Sequence, residues 1–161
     1  MAAFTGTPAS SGVYTSQTDG SHAAGTAVDA KVHIADSGLY THTLGAGTGA
    51  VNMLILPPGK IKVLVDLCRV VSSAMVATAD LHVGHRAHTN LDGTAVAEDD
   101  NSLHDNADAG AALDEALTLP AAGILEFDSQ EGVTIFVTID TANIEDTDTI
   151  RLFLAYTGST P

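Results

Sequence analysis

From Lys31 onward the chain breaks into short β-rich runs cut off by turn residues, and in several of them the apolar residues recur at every second position. Val133, Ile135, Val137 and Ile139 fall on one side of a run, opposite Thr134, Phe136 and Thr138, and Ile150, Leu152, Leu154 and Tyr156 repeat the pattern. A period of two places those residues on one face of an extended strand, whereas a helix would scatter them around its circumference. No stretch of 12 or more residues carries a helical stripe, so the chain is expected to be all-β.

The remaining runs fit the same grammar. KVHIA (31–35) ends at Asp36-Ser37-Gly38, LYTHTL (39–44) at a glycine-rich turn over 45–49, and AVNMLIL (50–56) at Pro57-Pro58-Gly59. Proline lacks the ladder donor and glycine admits positive φ, so the last of these is a firm break. KIKVLVDLCRV (60–70) is expected to be one strand with Ile61, Val63, Val65 and Leu67 on a single face. AMVATADLHVGHRAH (74–88) alternates less cleanly, and Leu91-Asp92-Gly93 supplies a hairpin turn before TAVAE. Residues 98–113 are acidic, small and unpatterned, which reads as a long loop, and LDEALTL (113–119) suits either a helical turn or a strand. With GILEF, GVTIFVTI and TIRLFLAY the tally is about eight strands. Eight strands with one apolar face each close a core as an antiparallel β-sandwich, and a jelly roll is the expected version rather than a simple meander.

Residues 1–29 differ in kind. Ala, Gly, Ser and Thr dominate, with Phe4, Val13 and Tyr14 as isolated large apolar side chains. Such a segment cannot offset its own ordering entropy with a local core. It is expected to be an extended N-terminal arm preceding a sandwich domain at 30–161, and Phe4, Val13, Tyr14 and Tyr40 are the candidate interface residues.

Composition narrows the partners. Twenty acidic against six basic side chains leave a formal charge of −14, and protonating all seven histidines would still leave −7. That field repels phosphate backbones and anionic lipid headgroups, so neither nucleic acid nor a membrane is an expected partner. Aromatic residues make up 4% and Trp is absent, so the core must rest on Val, Ile and Leu, with further stability expected from neighbouring chains. Cys68, the single cysteine, cannot form an intrachain disulfide and is expected to be a buried, inert thiol. The start, MAAFTGTPASSG, has no signal-peptide pattern, and no run reaches the roughly 18 apolar residues of a membrane span.

The strongest chemical temptation is His82-Val83-Gly84-His85-Arg86-Ala87-His88. Zinc needs imidazole nitrogens converging at about 2 Å. On a strand His82 and His88 share a face but lie roughly 20 Å apart, and His85 points the other way. A structural or solvent-exposed role is therefore expected, with a metal site at His82, His85 or His88 as the weaker alternative. The His-x-His pattern of a cupin metal centre is absent. The acidic tract Glu98, Asp99, Asp100, Asp105 and Asp108 fails the 12-residue calcium-loop pattern, because His104 occupies the sixth position where glycine is needed. Asp140, Glu145, Asp146 and Asp148 read as a second solvated cluster between two strands. No phosphate cradle or nucleophile elbow occurs, so no catalytic residue and no cofactor are expected, and the protein is not expected to be an enzyme.

Three segments together carry a resemblance: LPPGKIKVLVDLCRVV, ADLHVGHRAHTNLDGTAVAEDDNSL and FDSQEGVTIFVTIDTANIEDTDTIRLFLAYTG. The Pro58-Gly59 turn, Val83-Gly84-His85-Arg86-Ala87, Asp92-Gly93, Gly132-Val133-Thr134-Ile135 and the closing Tyr156 resemble the pattern of small virion structural proteins of tailed bacteriophages. The resemblance covers about residues 56–158. It implies a head decoration, or cement, protein: a β-sandwich, often a homotrimer, made in the host cytoplasm, that binds the major capsid protein on the capsid exterior and stabilises the head. No catalytic residues come with it. The alternatives are a tail- or fibre-associated β-module in host attachment, and a jelly-roll metal- or carbohydrate-binding domain using the histidines.

Overall fold

A computed structural model describes residues 32–43 and 47–159, so the arm over 1–29, with Phe4, Val13 and Tyr14, lies outside the described residues. Thirteen strand segments follow in order: β1 (His33–Asp36), β2 (Tyr40–Thr41), β3 (Gly47–Leu56), β4 (Gly59–Leu64), β5 (Arg69–Ser72), β6 (Asp80–His85), β7 (His88–Thr89), β8 (Ala95–Val96), β9 (Asp99–Asp108), β10 (Leu113–Ala116), β11 (Ile124–Ser129), β12 (Val133–Ile144) and β13 (Thr149–Ser159). Among the described residues the one helical element is a 3₁₀ turn at Val65–Leu67, and no helix is long and apolar enough to cross a membrane. LDEALTL begins as a strand, while LYTHTL contributes only the two-residue β2.

The segments occupy eight lanes in two antiparallel sheets, with β7 and β8 as a separate hairpin. β13 carries β5 and β4 in succession along one edge and β2 and β1 along the other. β10 and β11 lie in turn against β5 and β4. Taken in chain order, the lanes of this sheet run first, eighth, third, sixth. The facing sheet is β3-β12-β6-β9, or second, seventh, fourth, fifth.

The third lane corrects the expectation of one continuous strand over 60–70. Val63 faces Tyr156 and Arg69 faces Phe153, so six steps on this lane span three steps on β13. The 3₁₀ turn takes up the three extra residues. It keeps Val65 buried but breaks the alternation beyond it, which leaves Leu67, expected inside, 64% exposed.

The acidic segment over 98–113 is the second correction. It is no loop: Asp99–Asp108 forms the ten-residue β9 along the edge of the smaller sheet. Leu103 and Ala107 are buried, and register shifts between their pairings with β6 disrupt the period of two. Alternation is therefore hidden in a strand whose apolar inward residues are few, Leu103 and Ala107, and out of register with one another. β12 likewise runs past Ile139 to Ile144, which places Asp140 within a strand and confines the turn to Glu145, Asp146, Thr147 and Asp148.

Between the sheets lies one aliphatic core. Ile150, Leu152 and Leu154 of β13 are fully buried, as are Val133, Ile135 and Val137 of β12, joined by Val63, Val70, Leu81 and Val83. Among the described residues Phe127 and Phe136 are the buried phenylalanines, and Phe136 lies in the outward row of β12 rather than between the sheets.

Gly84 decides how closely β9 can approach β6. A β-carbon placed on it would sit 2.0 Å from the carbonyl oxygen of Asp99 and 2.4 Å from the carbonyl carbon of Asp100, so backbone, not a flexible side-chain tip, would have to move. Gly84→Ala is expected to lower stability by about 3 kcal/mol in urea unfolding. Gly49→Ala, where nothing lies within 4 Å, is expected to change it by less than about 0.5 kcal/mol.

Candidate functional site

The three histidines of the 82–88 segment separate into two settings. His82 sits in the outward row of β6, between β12 and β9. Its Nδ1 lies 2.9 Å from Asp105 Oδ1 and its Nε2 3.2 Å from Asp140 Oδ1. Carboxylates only accept, so a neutral ring serves one of them and the imidazolium serves both. His82 thus ties three neighbouring strands together on the outer face.

His85 and His88 do not keep to opposite faces as expected. The strand ends after His85, and the chain turns through Arg86 and Ala87, which brings the two rings to a centroid separation of 5.2 Å in an edge-to-face arrangement. Each places its Nδ1 against the same acceptor, the carbonyl oxygen of Arg86, at 3.1 and 3.2 Å. Both rings also pack edge-on against Phe127. Together they wall a half-open cleft of about 320 Å³ whose other lining residues include Lys60, Lys62, Glu126 and Asp128. Among the described residues, no group of three or more His, Cys, Asp or Glu side chains is placed to hold a metal ion.

Arg86 organises the junction beside this cleft. Its guanidinium stacks 4.0 Å from the centre of the Phe136 ring, its Nε donates to Asn52 Oδ1 at 2.9 Å, and its Nη1 donates to both carboxylate oxygens of Glu98 at 3.0 Å. Cation–π and charge-assisted contacts therefore converge on one side chain and clasp β3, β12 and the entry to β9. Sequence reasoning had no signal for this, because Asn52, Arg86, Glu98 and Phe136 share no spacing pattern.

Tyr40 is half-buried and packs against the core, with its hydroxyl 3.0 Å from His42 Nδ1. Cys68 is buried where the 3₁₀ turn rejoins β5, and its Sγ accepts from the Ala155 amide at 3.3 Å. Burial pushes its thiol up to about 11, against a weaker opposing effect of that hydrogen bond. Ion pairs hold the outer face of the larger sheet: Arg151 to Asp36, Arg69 to Asp114, and Lys62 to Glu126 at 2.6 Å. The hydrogen bond from Arg151 lowers the Asp36 carboxyl from 3.8 to about 2.

No family model matches the chain, and no curated protein matches it. Solved structures do. A chain of the cyanophage Pam1 capsid asymmetric unit is 18% identical with a TM-score of 0.59, over 86% of this chain and 92% of that one. A chain of the acid-stable capsid of Helicobacter pylori bacteriophage KHP30 is 15% identical, covering 78% of this chain and 86% of that chain at a TM-score of 0.40. A chain of infectious bursal disease virus is 15% identical, covering 79% of this chain and 31% of that one at 0.37. The first likeness is one of fold, and it runs through nearly the whole of both chains.

Two outcomes follow from this chemistry. Cys68 is expected to resist a thiol-reactive disulfide at pH 8 in the native protein and to react at once in denaturant; rapid native labelling would contradict its burial. His104 is buried with its Nδ1 3.2 Å from Thr118 Oγ1, and burial lowers its proton affinity below the ordinary value. The unfolded ring then binds a proton first, so its contribution is complete above about pH 6.5 and is lost as the pH falls. The stability advantage of wild type over His104→Gln, read from urea midpoints, is expected to shrink between pH 7 and pH 5.

Proposed function

We propose that the protein is a phage head decoration protein, which binds the outer surface of a capsid as an oligomer, a homotrimer in the simplest reading, and reinforces the shell. The observation that carries this is the end-to-end fold likeness, at a TM-score of 0.59, to a chain of a cyanophage capsid asymmetric unit. The lane order first-eighth-third-sixth over second-seventh-fourth-fifth supports reading the sandwich as a jelly roll. The sequence resemblance over 56–158 points the same way, and it rests on residues rather than on backbone.

The work of such a protein is mechanical, and its means are interface area and avidity: several weak contacts made by a linked set of copies hold where one would release. The major capsid protein is the proposed partner. A −14 charge keeps many copies soluble and apart before assembly and favours basic patches on the shell. The Ala-, Gly- and Ser-rich segment 1–29 serves as an attachment arm, with Phe4, Val13 and Tyr14 as its apolar anchors.

Purified protein is expected to co-sediment with heads lacking it, in saturable stoichiometry, and to raise the temperature at which they release DNA. Failure to co-sediment, or labelled density at the tail, would overturn the assignment. Removing residues 1–19 is expected to leave the unfolding transition within a few degrees while weakening head binding by about tenfold or more.

A further inference from the structure

The two outer faces of the sandwich carry very different charge. On the smaller sheet the outward strand positions include Asp80, Asp105, Asp108 and Asp140, no Lys or Arg lies within its strands, and nearby Arg86 is committed to Glu98. On the larger sheet the outward strand positions hold four cations and four carboxylates. Arg151 pairs with Asp36, Arg69 with Asp114 and Lys62 with Glu126, while Lys60 stands opposite Asp128 in the register. The remaining charges of this layer are Asp66 in the 3₁₀ turn and Glu115 of β10, which falls on the inward parity at the sheet edge, opposite Val70 and 4.0 Å from His104 Nε2.

Exposed aliphatic residues sit among those pairs. Ile34, two residues from Asp36 and opposite Ala155, is 75% exposed. Ile124, opposite Leu64 and two residues from Glu126, is 44% exposed, and Leu67 stands out from the 3₁₀ turn in the lane between them. The local neutrality is what selects the occupant. Two chains of charge −14 repel strongly at any approach through the aspartate-lined face, and screening reaches only about 8 Å at physiological salt. A strongly cationic partner would gain more at that aspartate-lined face than here. The surface that suits another molecule of the same sign is the one whose outward strand charges balance, three of the four sets as direct ion pairs.

We propose that copies of this chain meet through the outer face of the larger sheet, with Ile34, Leu67 and Ile124 as the apolar contacts. The proposal deepens the decoration reading by naming the oligomer contact and rests on its oligomeric form. Ion pairs around an apolar centre give the contact a polar rim that loses no charge neutralisation when water leaves.

The test is the mass in solution of the full chain, by light scattering and sedimentation over a concentration series, for wild type, Leu67→Asp, Ile34→Asp and, on the opposite face, Asp105→Asn. Wild type and Asp105→Asn are expected to associate equally. Each aspartate variant is expected to weaken association by about tenfold or more with an unchanged circular dichroism spectrum. If either fails to fold, Ile124→Asp replaces it. Added salt is expected to tighten wild-type association by screening the like charges; weakening by salt would overturn the proposal, as would a monomeric wild type or association untouched by the aspartate variants. Head binding is scored separately. A monomer that still co-sediments with heads sinks this proposal alone, whereas an oligomer broken by Leu67→Asp that never binds heads sinks the decoration reading and leaves this contact standing.

Discussion

Everything in the larger sheet depends on the backbone ladder of β13. Both of its edges are paired, to β5 and β4 on one side and to β2 and β1 on the other, and its inward row of Ile150, Leu152 and Leu154 is sealed from solvent. Its pairing with β1 joins residues more than a hundred positions apart, from His33 to Tyr156. Folding of this kind is dominated by long-range pairing, which makes it slow compared with a helical protein of the same length. β12 plays the matching part in the other sheet, between β3 and β6.

A core with no tryptophan and few rings works because β-branched side chains suit the pleat. Val and Ile lose little rotamer freedom in a strand and interdigitate across two sheets about 10 Å apart. The buried rings that do exist are used at joints. Phe127 anchors the two imidazoles of His85 and His88, and Phe136 lies under the Arg86 guanidinium on the outer face. Aromatic surface thus stabilises the places where lanes are joined by irregular backbone, while aliphatic residues fill the regular layers.

The irregularities bear on function because each one changes which residues face out. The 3₁₀ turn in the third lane buries Cys68, where its thiol meets the Ala155 backbone, and turns Leu67 toward solvent. Register shifts in β9 keep Leu103 and Ala107 inside while Asp105 reaches His82. The histidine run, which reads as one motif in the sequence, becomes a clasp for two carboxylates and, beyond the end of β6, a pair of rings sharing one carbonyl acceptor. Charge is distributed unevenly between the faces: the outward strand positions of the larger sheet balance, while those of the smaller sheet are acidic.

The alternation of Val133–Ile139 and Ile150–Leu154, the proline and glycine breaks, and the Asp92-Gly93 hairpin turn were enough to establish an antiparallel sandwich of about eight strands, because period and punctuation are local properties of the chain. The buried thiol of Cys68 was legible for the same reason, since its neighbours are aliphatic. What only the tertiary structure decided was the fate of residues whose role depends on a partner strand. β9 looked like a loop because its apolar residues are few and its register is bulged, and Leu67 looked inward because three extra residues are invisible until β13 is laid beside them. Asn52, Arg86, Glu98 and Phe136 meet only when three strands are paired, and no spacing along the chain encodes that meeting.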